Sequence, residues 1–394
     1  MTTSTALPGF VVRDAVPLPG PREAVIARAA RSDAYRIHVV DGVEPLLDAL
    51  ERELAGAAVA LLADETVEAL YGGELLAGLR ERGVDVIARS VPAGEASKSL
   101  ERAVELWDWL ARSDLARRDV VVNLGGGVVC DLGGWVASGY MRGVPYVNLP
   151  TTLLAQVDGA LGGKVAVNHP VAKNLLGAFH QPAAVIANVG FLATTSRRHL
   201  AAGLAEAIKK AIIASPAYWD FIDGAAERIL DREPAALERL VRCAAAIKTE
   251  LVQRDPYEDD LRRPLNFGHT IGHPLETVTG YGPLLHGEAV AFGMAVESRI
   301  ATARGLLDPG LLEDIVGLLR RCDLPTRASD LRAPVDGERL IAALEKVRQI
   351  RAGSLRFVLP RGLGETVIAD TVGEEEVRAA LRSSGVRVAK EVIM

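Results

Sequence analysis

Three of the seven histidines fall close together: His269 and His273 in Asn266-Phe267-Gly268-His269-Thr270-Ile271-Gly272-His273, then His286 in His286-Gly287-Glu288. Imidazoles gather where a metal ion or a proton must be held near neutral pH. His269 and His273 are four residues apart, so on a helix they share a face and two rings can meet one ion. Upstream, Gly203-Leu204-Ala205-Glu206-Ala207-Ile208-Lys209-Lys210 puts Glu206 and Lys209 one helical turn apart. As a surface ion pair they would contribute only about 0.2–0.5 kcal/mol. A glutamate joined to two histidines would instead give a three-ligand site with an open position, the arrangement catalytic zinc needs. Capping or core packing would also explain the histidines taken alone.

A second group lies in Thr151-Thr152-Leu153-Leu154-Ala155-Gln156-Val157-Asp158, then Gly162-Gly163-Lys164, Asn168-His169-Pro170 and Lys173-Asn174. Lone charges in so apolar and glycine-rich a stretch are costly to bury, so Asp158, Lys164, Lys173 and Asn174 read as contacts to an anion and to hydroxyls. Arg142, Lys248 and Arg262 add further fixed cations. A chain of formal net charge −6 that binds phosphate must concentrate cations locally in this way.

A third group points to a nucleotide. Val120–Asp131, VVNLGGGVVCDL, is a buried strand entering Gly125-Gly126-Gly127 and then a helix that carries Asp131. Glycines there let backbone approach a ligand, and the helix N-terminus offers free N–H groups to a diphosphate. The spacing is not G-x-G-x-x-G, and a plain tight turn fits it equally well. The polar loop Pro92-Ala93-Gly94-Glu95-Ala96-Ser97-Lys98 ends another strand, where open α/β sheets bind ligands. Asp64 closes the strand ALLAD, where it could take ribose hydroxyls or cap the helix that follows.

These groups need a scaffold, and 394 residues at 49% hydrophobic suit two packed lobes. From Arg36 to Asn188 short β-branched runs alternate with helical patterns, the mark of a parallel α/β sheet. The strands expected are Arg36–Val40, Ala58–Ala63, Asp85–Val91, Val120–Leu124, Tyr146–Leu149 and Ala184–Asn188. After Ser196 long amphipathic stretches take over, among them Leu200–Ala214, Ala235–Val252 and Glu288–Arg304. The charge balance offers no general attraction for nucleic acid or anionic membrane. Cys130, Cys243 and Cys322 form no C-x-x-C pair, which fits a reducing cytoplasm. No basic start with an apolar run and no long apolar span predicts secretion or membrane insertion.

In combination and order, PAGEASK, GGGVVCDLGG, GYMRGVPYVNLPTTLLAQVDGALGGKVAVNHPVAKNLLGAFHQP, GLAEAIKK, LNFGHTIGH and HGEAVAFGM resemble the 3-dehydroquinate synthase family, over a stretch from Asp64 to Pro360. The resemblance implies an α/β, Rossmann-like N-terminal domain (33–195) that binds NAD, and an all-α C-terminal domain (196–394) for metal and substrate, after an extension (1–32). It also implies a homodimer. The family's Zn²⁺ or Co²⁺ ligands fall on Glu206, His269 and His286, which moves His273 from the metal to the substrate. His273, Asn266, Lys164 and Asn174, with Arg142 from the partner subunit, fall around phosphate and polar groups. Asp158, Lys209, Lys248 and Arg262 fall on hydroxyls, carboxylate and proton transfer. Cofactor contacts fall on Asp64, Glu95, Lys98, Gly125, Gly126, Gly127, Asp131, Thr151, Thr152, Lys173 and Thr194. The reaction implied is a redox-neutral ring closure of a sugar phosphate: oxidation, phosphate elimination, return of the hydride and an intramolecular aldol.

Departures from the family pattern bear on the substrate. Where the family usually has Asp-Lys-Lys before a late strand, this chain reads Val347-Arg348-Gln349, so Arg348 replaces a substrate-contacting lysine. Gly159-Ala160 replaces a pair of serines, and Val165 a threonine. These changes suit a less acidic substrate. Against them, Asn266 and His273 stand as in dehydroquinate synthases, whereas 2-epi-5-epi-valiolone synthases usually have Asp and Pro there, and Arg262 is kept. The first expectation is therefore a 3-dehydroquinate synthase acting on 3-deoxy-D-arabino-heptulosonate 7-phosphate. Beside it stands a valiolone-type cyclase of sedoheptulose 7-phosphate, then an aminodehydroquinate or 2-deoxy-scyllo-inosose synthase. A metal-dependent alcohol or glycerol-phosphate dehydrogenase is the alternative of another class, and it would not need the run from Asp158 to Asn174. A dead scaffold is disfavoured because Glu206, His269, His286, Lys164 and Lys209 are all present.

Overall fold

A computed structural model describes residues 34–170, 172–255, 263–280, 282–350 and 355–389. The N-terminal extension and Arg262 lie outside the described residues. The chain from Tyr35 onward forms one compact unit.

Its first half alternates strand and helix: β1 (Arg36–Val40), α1 (Val43–Leu54), β2 (Val59–Asp64), α2 (Glu65–Val67), α3 (Gly73–Glu81), β3 (Val86–Val91), α4 (Leu100–Arg112), β4 (Val120–Gly125), α5 (Gly127–Gly139) and β5 (Tyr146–Pro150). A hairpin of β6 (Lys164–His169) and β7 (Ala172–Phe179) precedes β8 (Ala184–Asn188). Six parallel strands make one sheet in the order β1-β8-β5-β4-β2-β3. Side chains alternate across a strand, and both faces here are covered. Val120, Val122 and Leu124 of β4 pack with α1 and α3 through Leu46, Leu50 and Leu79. Val121 faces the other way, toward Leu106 of α4 and Leu132 of α5. From β2 the chain moves to β3 on one side, and from β4 it moves to β5 on the other. The carboxyl ends of β2 and β4 therefore flank a crevice, the place where open α/β sheets take ligands.

The second half supplies α6 (Arg197–Ala214), α7 (Pro216–Leu230), α8 (Pro234–Arg254), α9 (His269–Thr279), α10 (His286–Ala303), α11 (Pro309–Arg321), α12 (Gly337–Ile350), β9 (Phe357–Gly362), β10 (Glu365–Ala369) and α13 (Glu374–Ser383). One apolar core runs through these helices and on to Val39, Leu153 and Ala187 of the sheet half, so the two halves share an interior. The antiparallel pair β9–β10 is a short sheet inside the helical part, so the C-terminal domain is not all-α as expected, and the late strand is one of a pair. No helix among the described residues is long and apolar enough to cross a membrane.

Close helix approach sets the site. A Cβ added at Gly287, the second residue of α10, would lie 1.8 Å from the Ala202 carbonyl oxygen of α6. Backbone cannot yield that much, so Gly287→Ala is expected to destabilise the fold by about 1–3 kcal/mol. The urea midpoint should fall with an unchanged m value; an unaltered midpoint would show that the helices separate freely.

Candidate active site

Three helices converge on one carboxylate. Glu206 is 1% exposed on α6, and its Oε1 lies 3.6 Å from His269 Nε2 on α9 and 3.8 Å from His286 Nε2 on α10. Each imidazole is turned by its other nitrogen. His269 Nδ1 is 3.1 Å from the Phe267 carbonyl, and His286 Nδ1 is 3.2 Å from Glu276 Oε2. Donation from Nδ1 to those acceptors leaves both Nε2 lone pairs facing Glu206, the outer-shell arrangement typical of metal-binding histidines. Ligand bonds of about 2.0–2.1 Å in a tetrahedral site space the ligand atoms about 3.3–3.4 Å apart, close to the separations found.

His273 joins this cluster: its ligand atom and those of His269 and His286 all lie within 4.8 Å of one another. The spacing argument thus brings His269 and His273 together as expected. Charge favours Glu206 over His273 as the third ligand. His273 is exposed, whereas Glu206 is buried and turns its Oε1 to both other imidazoles. Burial opposes charge on His286, yet Glu206 and Glu276 hold its pKa up to about 9. Burial holds His269 and His273 well below the usual imidazole range, so the pocket offers a carboxylate and neutral imidazoles, a donor set that a divalent cation fits.

The other oxygen of Glu206 faces ammonium groups. Oε2 contacts Lys209 Nζ and lies 3.5 Å from Lys210 Nζ. Lys210 Nζ reaches 2.7 Å to Asp158 Oδ1, which Lys248 Nζ also approaches at 3.1 Å. Lys248 bonds the Asp158 carbonyl as well, at 2.6 Å. Burial opposes charge on Asp158, but Lys210 and Lys248 outweigh it and hold the carboxyl well below its ordinary range. Burial lowers Lys209, with Glu206 resisting. Sequence reasoning passed over Lys210 and Glu276. Lys210 sits four residues after Glu206, on the same helix face, so the signal was there and Lys209 masked it.

Burial also pulls Lys248 down to about 8. It is charged below that pH and neutral above it, so kcat/KM is expected to fall as pH rises through about 8. Lys248→Arg should move this alkaline limb upward, because arginine stays protonated. A limb that does not move would assign it to another group.

The nucleotide candidates collect at the carboxyl ends of the strands. Asp64 ends β2, and its Oδ1 accepts from Val67 N at 3.0 Å, so the capping role is real. Gly125, Gly126 and Gly127 join β4 to α5, and a Cβ at Gly127 would meet nothing within 4 Å. The N-terminus of α5 thus opens on free space, as a diphosphate requires. Thr151 and Thr152 follow β5. Thr194 follows β8, and its hydroxyl pairs with Tyr71. Lys98 is buried against Asp131 and Asn174. Asn168 donates to Glu95 Oε1 at 2.8 Å, and Lys173 Nζ lies 3.9 Å from the same oxygen. The β6–β7 hairpin is therefore latched to the loop after β3. Lys164, at the start of β6, and Arg142 are exposed. Asn266 lies in the single turn before α9. Arg348 pairs with Glu345 on its own helix at 3.4 Å.

Models of the 3-dehydroquinate synthase N-terminal and C-terminal domains match residues 88–202 and 203–348. The chain belongs to the 3-dehydroquinate synthase family. Among its relatives, a 2-epi-valiolone synthase of Actinosynnema mirum is 55% identical over 95% of this chain and 98% of its own. A 3-dehydroquinate synthase of Symbiobacterium thermophilum is 43% identical over 89% of this chain and 98% of its own. Among solved structures, ValA, a 2-epi-5-epi-valiolone synthase of Streptomyces hygroscopicus subsp. jinggangensis with NAD⁺ and Zn²⁺ bound, superposes with a TM-score of 0.84. It shares 33% identity, over 91% of this chain and 99% of that one.

Proposed function

We propose that this chain is an NAD- and divalent-metal-dependent sugar-phosphate cyclase, a carbon–oxygen lyase that releases phosphate from sedoheptulose 7-phosphate and closes a valiolone-type ring. It works as a cytoplasmic homodimer. The observation that carries this is the division of Glu206: Oε1 toward two imidazoles and Oε2 toward two ammonium groups, with Asp158 clamped beside it. A simple alcohol dehydrogenase has no use for two buried lysines against its metal ligand. The 55% identical relative named 2-epi-valiolone synthase supports the choice of ring. So does the stretch Val347-Arg348-Gln349, which keeps one cation where the family usually has two lysines. Exposed Met141, Leu175 and Phe179, the last two on the edge strand β7, supply apolar surface for a second copy.

Glu206, His269 and His286 would hold a Zn²⁺ or Co²⁺ ion, and the crevice from Asp64 to Thr194 would hold NAD. When bound, NAD⁺ takes and returns a hydride, and the ion polarises the substrate oxygen at the reacting carbon. The protein's own groups do the rest. Asp158, kept ionised by Lys210 and Lys248, accepts a substrate hydroxyl. Lys209, with its pKa lowered by burial, moves a proton at Nζ. Lys164, Arg142 and Asn174 face the phosphate, with His273 and Asn266 on the remaining polar groups. Holding one conformer makes ring closure effectively unimolecular.

A 3-dehydroquinate synthase is the second reading. Asn266, His273 and the retained Arg262 favour it, as does the 43% identical relative of that name. Holoprotein supplied with NAD⁺ and a heptulose 7-phosphate is expected to release phosphate with no net NADH. Accumulation of NADH without phosphate would make the chain a dehydrogenase instead.

A further inference from the structure

We infer that Lys210 is a positioning residue of this site, one that joins Lys209 in keeping Glu206 a one-oxygen ligand and ties it to Asp158. The inference rests on the metal reading above. Lys210 is 0% exposed, so it acts through the groups it touches and not on the substrate. Its ammonium lies 2.7 Å from Asp158 Oδ1 and 3.5 Å from Glu206 Oε2. The imidazoles lie on the opposite oxygen of Glu206, Oε1. A carboxylate can ligate an ion through one oxygen or both. With Oε2 taken by ammonium, only Oε1 remains for the ion, the coordination number stays low, and a position is left for a substrate oxygen.

The same bridge orders the hydroxyl-binding side. Lys210 and Lys248 both approach Asp158 at Oδ1, and among the described residues no side chain bonds Oδ2. Oδ2 is thus the oxygen presented to substrate. One buried cation fixes the distance between the carboxylate that holds the ion and the carboxylate that holds a hydroxyl.

The sign of the charge separates this role from simple support. A cation beside a divalent ion repels it, so Lys210 weakens metal binding, whereas a residue present only to stabilise the site would strengthen it. In Lys210→Gln, Glu206 Oε2 loses one of its two cations and keeps only its contact with Lys209, so it turns to the ion more readily. Cobalt-loaded protein should then bind Co²⁺ at least as tightly as the unaltered enzyme in chelator competition. Its visible absorption should weaken as the coordination number rises, and kcat/KM should fall about 10- to 100-fold, as when an outer-shell partner is removed. Lys210→Arg keeps the charge in a wider head, so it should keep the intense four-coordinate spectrum and lose less activity.

Overturning results are equally definite. They are a Lys210→Gln protein with unaltered spectrum and kcat/KM, or one that loses its ion together with its activity. If that variant does not fold, a weakened spectrum in Lys210→Arg would overturn the inference alone. Absence of cobalt bands in the unaltered protein would overturn the metal reading, and this inference with it.

Discussion

His269→Ala is expected to lower kcat/KM at least about 1,000-fold and to abolish tight binding of Zn²⁺ or Co²⁺, with the fold retained. Lewis-acid stabilisation by a bound ion contributes several kcal/mol, and about 1.4 kcal/mol corresponds to a factor of ten. His269 is only partly buried and is aimed by a single contact from Nδ1 to the Phe267 carbonyl, so its removal strips a ligand without opening the core. Glu206→Gln should lose the same activity and stability as well. Its charge faces Lys209 and Lys210, and breaking a buried pair from one side costs about 3–5 kcal/mol. Metal content by elemental analysis and stability by urea titration separate the two effects. A His269→Ala protein that keeps a stoichiometric ion and full phosphate release would remove this residue from the ligand set.

Sedoheptulose 7-phosphate is expected to exceed 3-deoxy-D-arabino-heptulosonate 7-phosphate in kcat/KM by at least about 100-fold. The two differ where the site does. The heptulosonate brings a carboxylate, and an unpaired buried charge costs about 3–5 kcal/mol, enough for that factor. Arg348 and Gln349 stand where the family usually has two lysines, and Arg348 pairs with Glu345, so a carboxylate here meets fewer cations. The heptulosonate also lacks a hydroxyl. A site built around an ionised Asp158 rejects such an analogue because the acceptor is left unpaired. Phosphate release from each sugar, with the ring product identified by mass spectrometry, decides the matter. Equal or better use of the heptulosonate would return the chain to the dehydroquinate synthase reading, which was the first expectation from sequence.

The sheet was legible because parallel strands covered on both faces read as unbroken apolar runs. Arg36–Val40 and Ala184–Asn188 were expected to the residue, and the other four strands to within one residue at either end. The β6–β7 hairpin was not read as strand. Lys164, Asn168, Lys173 and Asn174 interrupt it, and polar residues placed for contact with Glu95 and Lys98 conceal a period of two. Spacing alone pointed to His269 with His273, which do share a face. Residue type made Glu206 and His286 candidates, but spacing could not join them to His269, because they meet it through helix crossings that Gly287 permits and no local pattern encodes. Family resemblance chose the set. Lys210 escaped both routes, since its role appears only when the distance to Asp158 is known.

Crystals grown with Zn²⁺ and examined at the zinc absorption edge test the central claim most directly. The expected result is one anomalous peak bounded by Glu206 Oε1, His269 Nε2 and His286 Nε2, with Lys209 and Lys210 on the far oxygen of Glu206. A peak held by His269, His273 and His286 with Glu206 turned away, or no peak among these residues, would contradict it.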